Sequence, residues 1–209
     1  MGMDLTVLVV DWAHLEGIAA DDRLDSLREA VYPDKDPEGP DGDRDPLDGG
    51  WVRPTEPYRS WLGRYEFHGT LGSYKAHFWT AHAWDHVREA VPAGPRGLLD
   101  DFLGGLIWWG PDPHQDLEHV DSGMFPAPEG AERRDLLIAR DPDTTARLAH
   151  TWQQARSVLA RVHEPYRLHG PRDNGWITDA TGFSRLVTEW GAVTDEAYRR
   201  GWGVIGLPW

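Results

Sequence analysis

The sequence predicts a single α+β domain, with a small mixed sheet packed by four or five helices. Three observations predict it. A β-favouring run, Leu5–Val10, stands near the N-terminus, and a second, at 204–207, stands near the C-terminus. Between them, apolar residues recur at helical spacing in several separate stretches. At 209 residues one hydrophobic core is the default, and 40% hydrophobic residues suffice to fill it.

Taken in order, Leu5–Val10 is apolar at almost every position and reads as a buried strand. Asp21 suits the cap of a short helix that aligns Leu24, Leu27 and Val31 on one face. Residues 33–50 hold four prolines, four glycines and seven acidic side chains without periodicity, which is a long loop. From 65 to 78, aromatics alternate with small residues as in a short strand or two. Thr80 can cap a helix reaching about Val91, with Trp84, Val87 and Val91 on its inner stripe. A core helix follows at 97–109 through Leu98, Leu99, Phe102, Leu103, Leu106 and Ile107.

Residues 110–134 read as a second polar loop, and 136–139 as a strand. Asp141-Pro142 marks a helix start, a cap side chain followed by proline at the first helical position. Leu148, Trp152, Ala155, Leu159 and Val162 continue at helical spacing until Glu164-Pro165 stops them. After a loop at 166–179, the last helix at 183–200 packs through Phe183, Leu186, Val187 and Trp190. Arg199-Arg200 and Gly201 suit its C-terminal end. The first and last strands should share one sheet.

Three stretches carry a family resemblance: Trp84-Asp85-His86-Val87 followed by Leu98, Leu99 and Phe102-Leu103-Gly104-Gly105; the opening Met1-Gly2-Met3; and the last helix with Gly201 and its final strand. Together they resemble the YfbM-like family of bacterial proteins, a family of unknown function. The resemblance touches roughly the first fifteen residues, 83–107 and most of 135–209, leaving out 33–75 and 110–134. Its motifs are packing motifs, so it implies a fold and no catalytic residues.

Composition narrows the function classes. No apolar stretch approaches the ~20 residues of a membrane span. No basic region precedes the first apolar run, which Asp11 ends after six residues, so no secretory signal is expected. The absence of cysteine excludes disulfides and thiolate metal sites and fits a cytoplasmic protein. Of the formal net charge of −14, residues 1–50 contribute −10, with 14 Asp/Glu against four Lys/Arg. Nucleic acid is a poor partner for such a chain, because affinity there rests on cationic contacts to phosphate. A basic protein is a fitting one, and Asp41, Asp43, Asp45 and Asp48 are its expected contacts. Plain solubility explains the same charge.

Motifs for chemistry are few. Asp41, Asp43 and Asp45 resemble the start of a calcium loop, but Pro46 and Val52 replace the required glycine and glutamate. His82 and His86 stand one helical turn apart with Asp85 before the second, similar to the inverted zincin pattern with Asp for Glu, and zinc would be the ion. Helical geometry puts the three opposite Trp84 and Val87, towards water. Gly104-Gly105 lacks the strand and the Lys-Ser/Thr of a phosphate loop, so close helix packing explains it better. The 166–179 and 108–119 segments both mix aromatics with polar groups, and a ligand pocket between them would be lined by Trp108, Trp109, His114, His169, Arg172 and Trp176.

The expected function is a non-catalytic interaction module that binds a basic protein partner, immunity-like or regulatory, and needs no cofactor. The alternative is a metal-dependent hydrolase using zinc on His82, Asp85 and His86.

Overall fold

The computed structural model describes residues 3–31, 49–52, 61–108, 110, 123–126, 136–171 and 175–208. Leu5–Val10 (β1) is buried at all six positions because it is the central strand of a five-stranded sheet covered on both faces. Strand side chains alternate between faces, so Leu5, Val7 and Val9 enter one core and Leu8 and Val10 another. Gly50–Val52 (β2), Leu62–Glu66 (β3), Ile138–Arg140 (β4) and Gly203–Pro208 (β5) complete the sheet in the order β2-β3-β1-β5-β4. The terminal strands are direct neighbours, with Val7 opposite Gly206 and Val9 opposite Val204. Where a mixed sheet was expected, all four pairings are antiparallel.

Seven α-helices pack on the sheet among the described residues. Trp12–Glu16 (α1) and Arg23–Val31 (α2) cover the smaller core with Met124 and Phe125. Tyr74–Val87 (α3), Ala93–Gly104 (α4), Pro142–Ala155 (α5), His163–His169 (α6) and Ala180–Arg200 (α7) build the larger one. Its centre holds Trp84, Phe102, Phe183 and Trp190, all at 0% exposure. A single buried side chain of Phe102's kind contributes ~1.5–3 kcal/mol. No helix among the described residues is long and apolar enough to cross a membrane.

Several boundaries differ from the sequence reading. Asp21 lies inside a 3-10 turn, Ala20–Asp22, ahead of α2 and does not cap it. The helix expected from Thr80 begins seven residues earlier. The side-chain oxygen of Ser73 accepts the Lys75 N–H at 3.3 Å, while Thr80 is buried mid-helix and donates to Ala76 O at 2.9 Å. The core helix expected at 97–109 starts at Ala93, and its apolar stripe continues past the helix through Leu106, Ile107 and Trp108. Pro165 stops nothing: it sits in the first turn of α6, where a missing N–H removes no helical bond.

Other expectations match. The Asp141 carboxylate accepts the Thr144 N–H at 2.6 Å to start α5. Gly201, at φ 68°, closes α7 in the left-handed region that favours glycine. Of the paired glycines, it is Gly105 that permits a close approach, since a Cβ there would strike Leu148 of α5. The buried Arg140 guanidinium donates to the Gly105 carbonyl at the same junction.

Candidate functional site

The face of α3 follows from its inner stripe. With Ala76, Ala83, Trp84 and Val87 turned to the core, Asp85 and His86 are exposed and His82 is half-buried. The rings of His82 and His86 lie 4.3 Å apart between centroids, and Nδ1 of His86 donates to the His82 carbonyl at 2.8 Å. His82 also meets the edge of Trp79 at 4.9 Å, and its own Nδ1 is out of contact with solvent without a hydrogen-bond partner. Burial, then the neighbouring His86, holds the His82 pKa below the usual histidine value, against the opposing pull of Asp85.

Asp85 is engaged elsewhere. One of its oxygens accepts the indole N–H of Trp108 at 2.7 Å. The Arg88 guanidinium lies 5.0 Å over the same indole and bonds both oxygens of Asp100, at 3.1 and 2.7 Å. Asp100 in turn accepts the Trp84 indole N–H at 2.8 Å. This chain of contacts ties α3 to the segment that ends α4. Among the described residues no three His, Asp or Glu side chains converge as a metal site would require. His114 lies outside the described residues.

Three of the six residues expected to line a pocket are described. Trp108 is buried at 6% exposure, Trp176 is half-buried against the larger core, and His169 is exposed at the end of α6. Trp109, His114 and Arg172 lie outside the described residues. A cavity of about 610 Å³ does open between α6 and the start of α7, lined by His163, Glu164, Tyr166, Arg167, Asp179 and Thr181 among others. Several of its polar groups already have partners. Glu164 and Arg167 form a two-pronged pair at 2.6 and 2.8 Å. Asp179 caps Gly182 at 2.7 Å, and the Tyr166 hydroxyl donates to Ile177 O at 3.0 Å. His163 Nε2 lies 3.2 Å from Ser184 Oγ, both lie outside the interior, and among the described residues no carboxylate bonds to this imidazole as a hydrolytic triad requires.

On the opposite face of the sheet, the α1–α2 surface is acidic. Glu16, Asp21, Asp22, Asp25 and Glu29 are all exposed. Of the two arginines in this stretch, Arg28 pairs with Asp25 at 3.1 Å. Arg23 is folded inward: Nε donates to Leu15 O at 2.8 Å and Ile18 O at 3.0 Å, Nη1 to Met124 O at 2.7 Å, and Nη2 to Glu16 O at 3.3 Å. Asp41, Asp43, Asp45 and Asp48, the expected partner contacts, lie outside the described residues.

Sequence reasoning missed two half-buried carboxylates on α7, each with one oxygen closed to solvent. Glu189 accepts the His68 N–H at 3.0 Å through one oxygen, and burial raises its pKa; the same carboxylate, after burial itself, pushes Tyr65 up to about 12. Asp195 is also raised by burial, with Arg156 opposing. Their positions on an apolar helix are the only signal, and it is a weak one. No family model, curated protein or solved structure matches this chain.

Proposed function

We propose that this chain is a non-catalytic interaction module that holds a basic protein partner against its acidic N-terminal quarter, in an immunity-like or regulatory role. One observation carries the reading: Arg23 spends its donors on four backbone carbonyls, so the outer face of α1–α2 presents Glu16, Asp21, Asp22, Asp25 and Glu29 with little cationic screening. The net charge of −10 over residues 1–50 extends that field, and Asp41, Asp43, Asp45 and Asp48 belong to it in sequence. Such a field speeds the capture of a basic surface, and salt weakens it over a Debye length of about 8–10 Å. The YfbM-like resemblance concerns packing residues and adds no site to this reading.

The test is an affinity pull-down from the native host, followed by association rates at rising salt and metal analysis of untagged protein. One stoichiometric basic partner is expected. Its association should slow with salt and with joint neutralisation of Asp41, Asp43, Asp45 and Asp48 to Asn, without change in fold. The alternative reading is the zinc hydrolase on His82, Asp85 and His86. No partner, together with one equivalent of zinc and a hydrolytic activity lost in His82→Ala, would replace the first reading by the second.

A further inference from the structure

The groove between α5 and α7 contains two opposite charges that do not pair with each other. It is a cleft of about 440 Å³ lined by Trp152, Arg156, Leu159, Thr188, Ala192 and Asp195. Trp152 and Leu159 are buried and give it an apolar floor. Oδ1 of Asp195 has lost contact with solvent and has no hydrogen-bond partner. Arg156 is exposed at the end of α5, close enough to bias the Asp195 carboxyl but joined to it by no ion pair within 4.0 Å.

Oδ1 of Asp195 is closed to water and so to a ligand, but the side chain is only half-buried, and its other oxygen, which has no hydrogen bond among the described residues, is open to a donor in the cleft. A lone cation entering the groove would be repelled by Arg156, and a lone anion by Asp195. A small molecule that bears both charges satisfies both residues, and an apolar remainder suits Trp152 and Leu159. We infer that this cleft binds a small zwitterion of the α-amino-acid class, with Asp195 taking the ammonium group, Arg156 the carboxylate, and the Trp152–Leu159 floor the apolar side chain. The volume lies within the range of small-molecule sites. The cleft is on the helical side of the sheet, away from α1 and α2, so the inference stands independently of the acidic-face reading.

The test is calorimetric titration of the full chain with L-phenylalanine, phenethylamine and 3-phenylpropanoate, each up to about 10 mM, the weak end of specific affinity. L-phenylalanine should bind at least tenfold more tightly than either analogue, each of which lacks one charge. Asp195→Asn and Arg156→Gln should each weaken it at least tenfold. Arg156 is exposed, so its variant keeps the test open should Asp195→Asn fold poorly. Absence of binding by all three ligands, equal binding of an analogue, or undiminished binding to a folded Asp195→Asn or Arg156→Gln variant would overturn the inference.

Discussion

The indole N–H of Trp190 donates to Nδ1 of His77 across 3.2 Å, joining α7 to α3 at the centre of the larger core. Phe67 meets the same imidazole edge-on at 4.7 Å, and His77 is only 1% exposed. Because Nδ1 accepts, the ring is neutral with its proton on Nε2. Burial lowers its pKa from 6.5 to about 3.

That shift gives the protein an acid-sensitive core. Between pH 6.5 and about 3 the unfolded chain binds a proton at His77 that the folded chain refuses, so stability is full above the unfolded pKa and falls on acidification through this window. Two pH units below 6.5, the loss from this group should reach roughly 3 kcal/mol. The Glu196 carboxyl, drawn down to about 2 first by its bond to Arg199, adds a loss of the same sign, confined to pH below its ordinary value of 4.5. Glu189 and Asp195, raised by burial, act in the opposite sense. Urea midpoints at pH 7.5 and 4.5 should therefore converge in His77→Gln, which keeps an acceptor for Trp190 but does not titrate. An unchanged pH dependence in that variant would show that His77 is not the source.

The two ends of the chain were the most readable part because their rules are local. An unbroken β-favouring run at Leu5–Val10 needs two covered faces, and a last helix closed by Arg199-Arg200-Gly201 carries its own stop. The start of α3 was not readable in this way. Thr80 and Ser73 are both credible caps, and only packing decides that the Thr80 hydroxyl bonds back to Ala76 inside the helix. The Arg23 clamp on Met124 spans 101 residues and leaves no trace in local sequence. Asp85 read as a free acid because its partner, Trp108, belongs to a different segment.

Gly191 and Gly105 test how rigidly α5 is held. A Cβ at Gly191 would overlap the indole of Trp152, which is pinned by its stack on Phe102 at 5.2 Å. A Cβ at Gly105 would overlap Cδ2 of Leu148, the tip of a side chain that can rotate. Gly191→Ala should cost about 3 kcal/mol and Gly105→Ala about 1 kcal/mol in urea unfolding, on the overpacking scale of well-filled cores. Equal losses would mean that Trp152 yields as easily as Leu148.

Leu71 is the one non-glycine residue at positive φ among the described residues, at 51°, in the turn that leads into α3. Its side chain is 60% exposed, so little packing offsets the strain of the left-handed region. Leu71→Gly should raise stability by ~0.5–1 kcal/mol, the balance between relieved strain and the extra freedom glycine gives the unfolded chain. A measured loss would show that Leu71 makes a contact worth more than its backbone strain.

Asp85 separates a packing role from a catalytic one. Trp108 is 6% exposed and its indole N–H has Asp85 as its acceptor at 2.7 Å, so Asp85→Ala strands a buried donor and should cost ~1–3 kcal/mol. Asp85→Asn retains a carbonyl oxygen in the same place and should cost less than about 1 kcal/mol. His82→Ala and His86→Ala remove rings from a half-buried and an exposed position, and surface changes of that kind are worth about 0.5 kcal/mol. The expected order of thermal stability is therefore wild type, His86→Ala, His82→Ala and Asp85→Asn close together, with Asp85→Ala well below them. Were the three residues a zinc site, the order would change: each histidine variant would lose the bound ion and the stability it supplies, and added chelator would bring the wild type down to their level. A chelator-insensitive wild type with the Asp85→Ala gap intact assigns Asp85 to holding Trp108 in place.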